Sequence, residues 1–310
     1  MLAAWRQETP AMLTPSMRNW FGRSTRSTVT MLLEPALILP PEPAPEAVQP
    51  IQAHWHPGRL AVTDALWGDG YLIPGGEIEL LRLAKPLGLS AAASLLLLGA
   101  GAGGAACSLV TALGVWVNGF EADPDLVAAA THHVAASNMG KRARIDRWNP
   151  EDPSFARQYY HHALALEPLL GQLPEAILAA ISAALKPGGQ LMMTELVADA
   201  PLNPDDGLVA QWARLERRDP LALPTEIAIT RVLGRQGYDV RIVEDLSQRF
   251  MHQGMMGWRR MVRSLQDAKP SRQHAKIMVN EAEVWLVRLR LFREGHLRLV
   301  RWHAIGSGLG

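Results

Sequence analysis

Between Pro86 and Phe120 the chain carries no charged side chain for 35 residues, and seven glycines punctuate that stretch. Such a run has two folded solutions: a membrane-spanning helix, or a strand–helix–strand unit buried inside a layered sheet. Glycine spacing decides between them. Gly88, Gly99, Gly101, Gly103, Gly104, Gly114 and Gly119 cut the run into pieces shorter than the roughly 20 residues a bilayer requires. Leu95–Leu98 reads as a compact buried strand, Gly104–Leu113 as a short helix and Val115–Phe120 as a second strand. No membrane span is expected.

Downstream, strand-like and helix-like segments continue to alternate, which is the pattern of an α/β fold with helices on both faces of a parallel sheet. Asp123-Pro124 opens a helix as an N-cap followed by proline at the first helical position. Pro174 opens another, whose Ile177, Leu178, Ile181 and Leu185 recur at helical spacing. Strands are expected around Ile145, at Ala163–Leu166, at Gln190–Val197 after a turn at Lys186–Gly189, and at Tyr238–Val243. Thr225–Gln236 reads as a helix closed by Gly237, and Leu289–Ile305 as a helix end followed by a last strand. Six prolines between Pro35 and Pro50 preclude a helix or an inner strand there. Residues 1–50 are therefore expected to form a loosely ordered arm and linker, and 51–310 the folded domain.

A single cysteine, Cys107, excludes an intrachain disulfide framework and cysteine-cluster metal sites, and no metal is expected. The first thirty residues lack the features of a secretory signal, so the expected location is cytoplasmic. Lysine and arginine number 31 against 30 acids, which gives no global reason to expect nucleic-acid binding. The charges are nevertheless unevenly placed. Residues 231–310 carry 15 basic and 7 acidic side chains, so this region could face an anionic partner or simply be a solvated surface.

Gly99-Ala100-Gly101-Ala102-Gly103-Gly104 follows the first strand and opens a helix, and Glu121 ends the next strand. Glycines let a backbone turn sharply against a ligand, and a carboxylate at the neighbouring strand tip can accept from both hydroxyls of a ribose. The loop fits two patterns. Gly99, Gly101 and Gly104 satisfy the dinucleotide spacing G-x-G-x-x-G. Gly99, Gly101 and Gly103 satisfy the G-x-G-x-G of S-adenosylmethionine binders.

Three other segments bear on the choice. Leu185-Lys186-Pro187-Gly188-Gly189-Gln190-Leu191 resembles the turn before the fifth strand of class I S-adenosylmethionine-dependent methyltransferases. Trp67–Gly76, with the glycine pair Gly75-Gly76, is similar to a segment of small-molecule methyltransferases of the phosphoethanolamine and glycine/sarcosine types. Gly237-Tyr238-Asp239-Val240 followed by Glu244-Asp245-Leu246 is similar to the entry to that family's sixth strand. The resemblance runs from about Trp67 to the C-terminus. It implies a Rossmann-like, mostly parallel sheet of seven strands with an antiparallel last strand, and S-adenosylmethionine as cofactor.

Carried over by position, the resemblance places Gly99, Gly101 and Gly103 against the cofactor, Glu121 on its ribose and Ala122 beside its adenine. Trp148 could stack on the adenine, and Asn149 stands where the family has an acid for the adenine amino group. Two positions depart from the family. Leu97 replaces an acid two residues before the loop, and His162, counted back from Pro174, replaces a strand-four aspartate. The methionine end would then be held by Glu167 or by the Tyr71–Gly76 segment, including Tyr71, Gly75 and Gly76.

Methyl transfer from a sulfonium needs alignment above all, because the reagent is already activated. An amine need only arrive unprotonated, whereas a phenol or carbon acid needs a base. Glu167 and His252 are the candidate catalytic residues, and helical lid insertions at about 198–223 and 247–285 are expected to shape the acceptor pocket. The implied function is methyl transfer to a small-molecule acceptor, an amine or an anionic metabolite. The alternatives are a non-catalytic protein of the same fold and, with less in its favour, an NAD(P)-dependent oxidoreductase.

Overall fold

The leucine run predicted as the first strand is the centre of the molecule. In a computed structural model that describes residues 54–266 and 269–307, β1 (Ser94–Leu98) pairs in parallel with β2 (Trp116–Glu121) on one side and β4 (Tyr160–Leu166) on the other. Successive side chains of a strand point to opposite faces. Leu95 and Leu97 therefore feed one core, Leu96 and Leu98 the other, and all four are fully buried. A strand buried on both faces must be apolar at every position, which accounts for the uncharged sequence.

Outward from this centre the sheet of seven strands has the order β3-β2-β1-β4-β5-β7-β6, with β3 (Ala143–Arg147), β5 (Leu185–Val197), β6 (Tyr238–Asp245) and β7 (Arg298–Gly306). β7 runs antiparallel to both β5 and β6; the other pairings are parallel. β5 differs from its expected start. It runs unbroken from the preceding helix, and the Lys-Pro-Gly-Gly segment forms an irregularity within it, between the Tyr160–Leu185 and His162–Gln190 pairs. Lys186–Gly189 is thus a bulge at the edge of pairing rather than a turn preceding the strand.

Nine α-helices occur among the described residues: α1 (Pro57–Trp67), α2 (Gly76–Ala84), α3 (Gly104–Leu113), α4 (Pro124–Ala136), α5 (Pro174–Ala184), α6 (Gly207–Glu216), α7 (Glu226–Arg235), α8 (Ser247–Ser264) and α9 (Arg272–Arg293). The N-cap read at Asp123 is present, and Thr225, read as the start of a helix, proves to be its cap. Asp123 Oδ1 accepts from the amides of Asp125 and Leu126 at 2.9 and 3.3 Å, and Thr225 Oγ1 from that of Ala228 at 3.1 Å. None of the described helices is long and apolar enough to cross a membrane. The expected arm over residues 1–50 lies outside the described residues.

Helices α1, α8 and α9 pack on one another through aromatic contacts. Trp67 of α1 lies 4.9 Å from Trp285 of α9, and Phe250 of α8 lies 5.2 Å from Phe292 of α9. The close approach of α8 to α1 depends on Gly257, where a Cβ would overlap the six-membered ring of Trp67. Glycine to alanine inside a helix ordinarily stabilises by up to about 1 kcal/mol. Here Gly257→Ala is expected to destabilise by about 1–3 kcal/mol through overpacking, read as a lower urea midpoint at constant slope. A raised midpoint would contradict this packing.

Candidate functional site

The carboxyl ends of β1 to β5 open into one cavity of about 420 Å³. Ligands of open α/β sheets bind at this edge. One half is built by the glycine loop and β2. Gly99 has φ +71°, and a Cβ there would overlap the Leu166 carbonyl of β4, so no other residue fits between the two strand tips. Its amide donates to the Phe120 carbonyl at 3.0 Å. Gly99, Ala100 and Gly101 consequently present backbone to the cavity.

Glu121, buried at the tip of β2, fastens this elbow. One carboxylate oxygen accepts from the Gly101 amide at 2.9 Å, the other from Ala122 at 2.8 Å and Asp123 at 3.3 Å. Burial pushes its carboxyl above the usual range, opposed by those three amides. A carboxylate oxygen has more than one acceptor position, so both oxygens keep capacity for a ligand's hydroxyl groups. Ala122, Leu126 and Trp148 continue the wall, and Trp148 Nε1 is buried with no hydrogen-bond partner among the described residues.

The other half lies under the helices. Glu167 follows β4 in a left-handed conformation, φ +47°, unusual for a non-glycine residue. Its carboxylate accepts from Arg218 at 2.6 Å, with Arg288 at 3.8 Å. Burial alone would raise its pKa; the two arginine charges and the Arg218 hydrogen bond outweigh it and hold the carboxyl below the usual range. Arg288 of α9 makes two bonds of 2.7 Å to Glu216 at the end of α6. Arg59 of α1 binds Glu281 of α9 at 2.7 Å, and Glu281 accepts from Trp285 Nε1 at 3.1 Å. These paired charges stitch the covering helices to the strand tip.

Two further titratable groups are perturbed, one on the cavity wall and one in β5 beside the wall residue Thr194. His54 Nε2 pairs with an Arg59 guanidinium nitrogen at 2.7 Å, and burial, with the Arg59 charge next, lowers its pKa to about 4. The imidazole is therefore neutral near pH 7. Glu195 of β5 is fully buried and accepts from the amides of Leu169 at 2.9 Å and Leu196 at 3.0 Å. Burial pushes its carboxyl up to about 8, with the Glu167 charge adding to the rise and Arg218 opposing it.

Of the sequence candidates, the structure brings Gly99, Gly101, Glu121, Ala122, Trp148, Tyr71 and Glu167 to the cavity wall. Tyr71 shares a 2.6 Å hydrogen bond with Ser108, and burial raises its phenol to about 12. Other candidates lie elsewhere. Gly103 caps α3 and packs on Ala130, Gly75 caps α2, and Gly76 begins α2 against the Trp67 carbonyl. Asn149 is exposed, and its side-chain oxygen accepts from the Glu151 amide at 3.1 Å, closing its own turn. His252 is exposed on α8, away from the wall. His162 pairs with Leu95 at the opposite end of β1, so the count from Pro174 lands four residues short of the β4 tip, Leu166. Leu97 is in the core.

Part of the basic C-terminal region is engaged in ion pairs. Among its arginines, Arg288, Arg298 and Arg301 are bound to Glu216, to Asp199 and Glu226, and to Glu244. Arg235, Arg288 and Arg298 are thus paired with acids from earlier segments, whereas Arg301 is paired within the region itself. Sequence reading missed Arg59, Glu216, Glu281 and Arg288. The one available signal was the spacing of Glu281, Trp285 and Arg288, which puts two charges on the apolar face of α9.

No protein-family model matches the sequence, and no curated protein sequence matches it. The fold is similar to that of Haemonchus contortus phosphoethanolamine N-methyltransferase 2, solved with phosphomonomethylethanolamine and S-adenosylhomocysteine. That match has 18% identity and a TM-score of 0.68, covering 80% of this chain and 56% of that one. This chain therefore spans little more than half the length of the Haemonchus enzyme. A Galdieria sulphuraria protein assigned as a sarcosine dimethylglycine methyltransferase matches at 14% identity and TM-score 0.61, over 75% of this chain and 85% of that one. The [4+2]-cyclase SpnF matches at 17% identity and TM-score 0.59, over 80% and 93%. The chain has the Rossmann-like fold of S-adenosylmethionine-dependent small-molecule methyltransferases, a scaffold it also shares with a cyclase.

Glu195 gives the fold a measurable pH signature. A folded-state pKa near 8 lies above the unfolded value of about 4.3. The folded chain then binds the extra proton, and stability is lost as pH rises through that window. Relative to wild type, Glu195→Gln is expected to gain stability progressively between about pH 5 and pH 8 in urea titrations. A pH-independent difference would mean that Glu195 is ionised throughout.

Proposed function

We propose that this chain uses S-adenosylmethionine to methylate a small-molecule acceptor. The observation that carries this reading is the junction of the Gly99–Gly101 backbone elbow with the buried Glu121 carboxylate inside one cavity. Glu121 would hold the ribose hydroxyls, and Ala122, Leu126 and Trp148 would border the adenine. When bound, the cofactor supplies an electrophilic methyl group on sulfur. The protein's task is to hold an acceptor in line and exclude water.

A contact at the start of α3 favours this cofactor over a dinucleotide. Pyrophosphate binding needs the helix N-terminus open to the ligand. Here the Gly104 amide donates to the Gly70 carbonyl at 3.1 Å, and the Asp69 and Gly70 backbone and the Tyr71 ring lie against it. The third glycine of the dinucleotide pattern is spent on the protein's own chain.

Glu167 is the cavity residue nearest to the expected catalytic role, but its two arginine partners make it a poor base. Its better-supported role is to fix Arg218 and the β4 tip. The basic C-terminal region gives an anionic acceptor little support, because of its two cavity-facing arginines Arg288 is paired and Arg249 is exposed. A non-catalytic protein of the same fold is the second reading; the resemblance to a cyclase shows only that this scaffold is not confined to methyl transfer.

Isothermal titration separates an S-adenosylmethionine site from a dinucleotide site. S-adenosylmethionine and S-adenosylhomocysteine are expected to bind at micromolar concentration and NAD(P) not at all. Binding of NAD(P) alone would overturn the proposal. Both Glu121→Ala and the milder Glu121→Gln are expected to weaken S-adenosylhomocysteine binding, the former by about 1.5–3 kcal/mol, as for hydrogen bonds to a charged group. Unchanged affinity in both variants would remove Glu121 from the site.

A further inference from the structure

We propose that the acceptor is an uncharged, weakly basic amine carried on an apolar or aromatic body; this refinement rests on the methyl-transfer reading above. The half of the cavity beyond Glu167 is walled by Leu83, Leu246, Phe250, Val284, Trp285 and Leu299. Its charged groups already have partners: Arg59 with Glu281, Arg288 with Glu216, Arg218 with Glu167, and Glu79 with Arg82 and Gln253. An anionic acceptor would have to break one of these pairs and leave a carboxylate stranded in low dielectric, at a cost larger than the contact returns. Arg217 and Arg249 line the cavity without an ion pair among the described residues, but both are exposed. An anion held there stays in water and gains little.

A cationic acceptor fares no better. The aromatic faces that would attract it are taken by this chain's own cation, since the Arg288 guanidinium lies 5.7 Å from the Phe250 ring centre and 5.5 Å from that of Trp285.

The cavity also lacks a free base among the described residues. Glu167, Glu216 and Glu281 are ion-paired, Glu121 holds three amides, Asp123 caps α4, and His54 Nε2 is engaged by Arg59. A phenol, a carbon acid or a protonated alkylamine would each need a proton removed before attack. An aryl or heteroaryl amine does not, because it is already neutral near pH 7. Its nitrogen lone pair forms the new N–C bond while the C–S bonding pair returns to sulfur, giving the thioether S-adenosylhomocysteine. The proton left on the methylated nitrogen passes to water.

The test is transfer of labelled methyl from S-adenosylmethionine by the full chain to a matched panel. The panel contains N-alkylanilines and heteroaromatic amines, the zwitterionic glycine and phosphoethanolamine, protonated alkylamines, and phenols. Transfer to the neutral amines is expected to exceed that to any other class by about tenfold or more, as befits a site whose wrong ligands leave buried groups unpaired. The pH profile should follow each amine's own pKa rather than one fixed enzyme group. Phe250→Ala is expected to raise the amine KM about tenfold by removing apolar wall, with S-adenosylhomocysteine affinity unchanged. Faster transfer to glycine, phosphoethanolamine or phenols, or no transfer to amines by a chain that binds S-adenosylhomocysteine, would overturn the acceptor assignment. Failure to bind S-adenosylhomocysteine would overturn the methyl-transfer reading with it.

Discussion

A single carboxylate holds the business edge of the sheet in shape. Glu121 ends β2, yet its oxygens tie down the amides of Gly101, Ala122 and Asp123, joining the elbow after β1 to the turn before α4. The other side of the elbow is set by contact, because Gly99 lies against the Leu166 carbonyl too closely for any side chain. The tips of β1, β2 and β4 are thereby fixed relative to one another. A cavity edged with backbone and one buried carboxylate follows from those two constraints.

Above the sheet, the covering helices are held by aromatic packing and by buried ion pairs. Such pairs add little to stability over apolar residues of equal size, but breaking one is expensive. Their functional consequence here is subtraction. Glu167, Glu216 and Glu281 are each committed to an arginine, so the cavity keeps its charges and offers few of them to a ligand. What remains of that half of the cavity wall is apolar surface.

The architecture was legible because its signals are local. Strict apolarity marked β1, Asp123-Pro124 and Pro174 marked helix starts, and the glycine elbow with Glu121 marked the edge where the cavity opens. The site's second half was not legible, because it is made of tertiary pairings between residues far apart in sequence. Arg288 and Glu216 are 72 residues apart, and in a linear reading both look like solvated helix charges. Transfer by position also failed where local geometry intervened. Asn149 turned to its own loop, and Gly75, Gly76 and Gly103 proved to serve helix starts and close packing. The pairing of Arg288 and Arg298 with Glu216 and Glu226 was hidden for the same reason: a count along the chain ignores partners brought in by folding.

The most direct measurement is a crystal structure of the chain grown with S-adenosylhomocysteine. The expected result is a ribose whose hydroxyls lie at about 2.6–3.2 Å from the Glu121 oxygens, with the nucleoside lying along Gly99–Gly101 and its sulfur directed toward the wall of Phe250 and Trp285. A nucleoside bound outside this cavity, or a Glu121 carboxylate that makes no contact with its ribose, would contradict it.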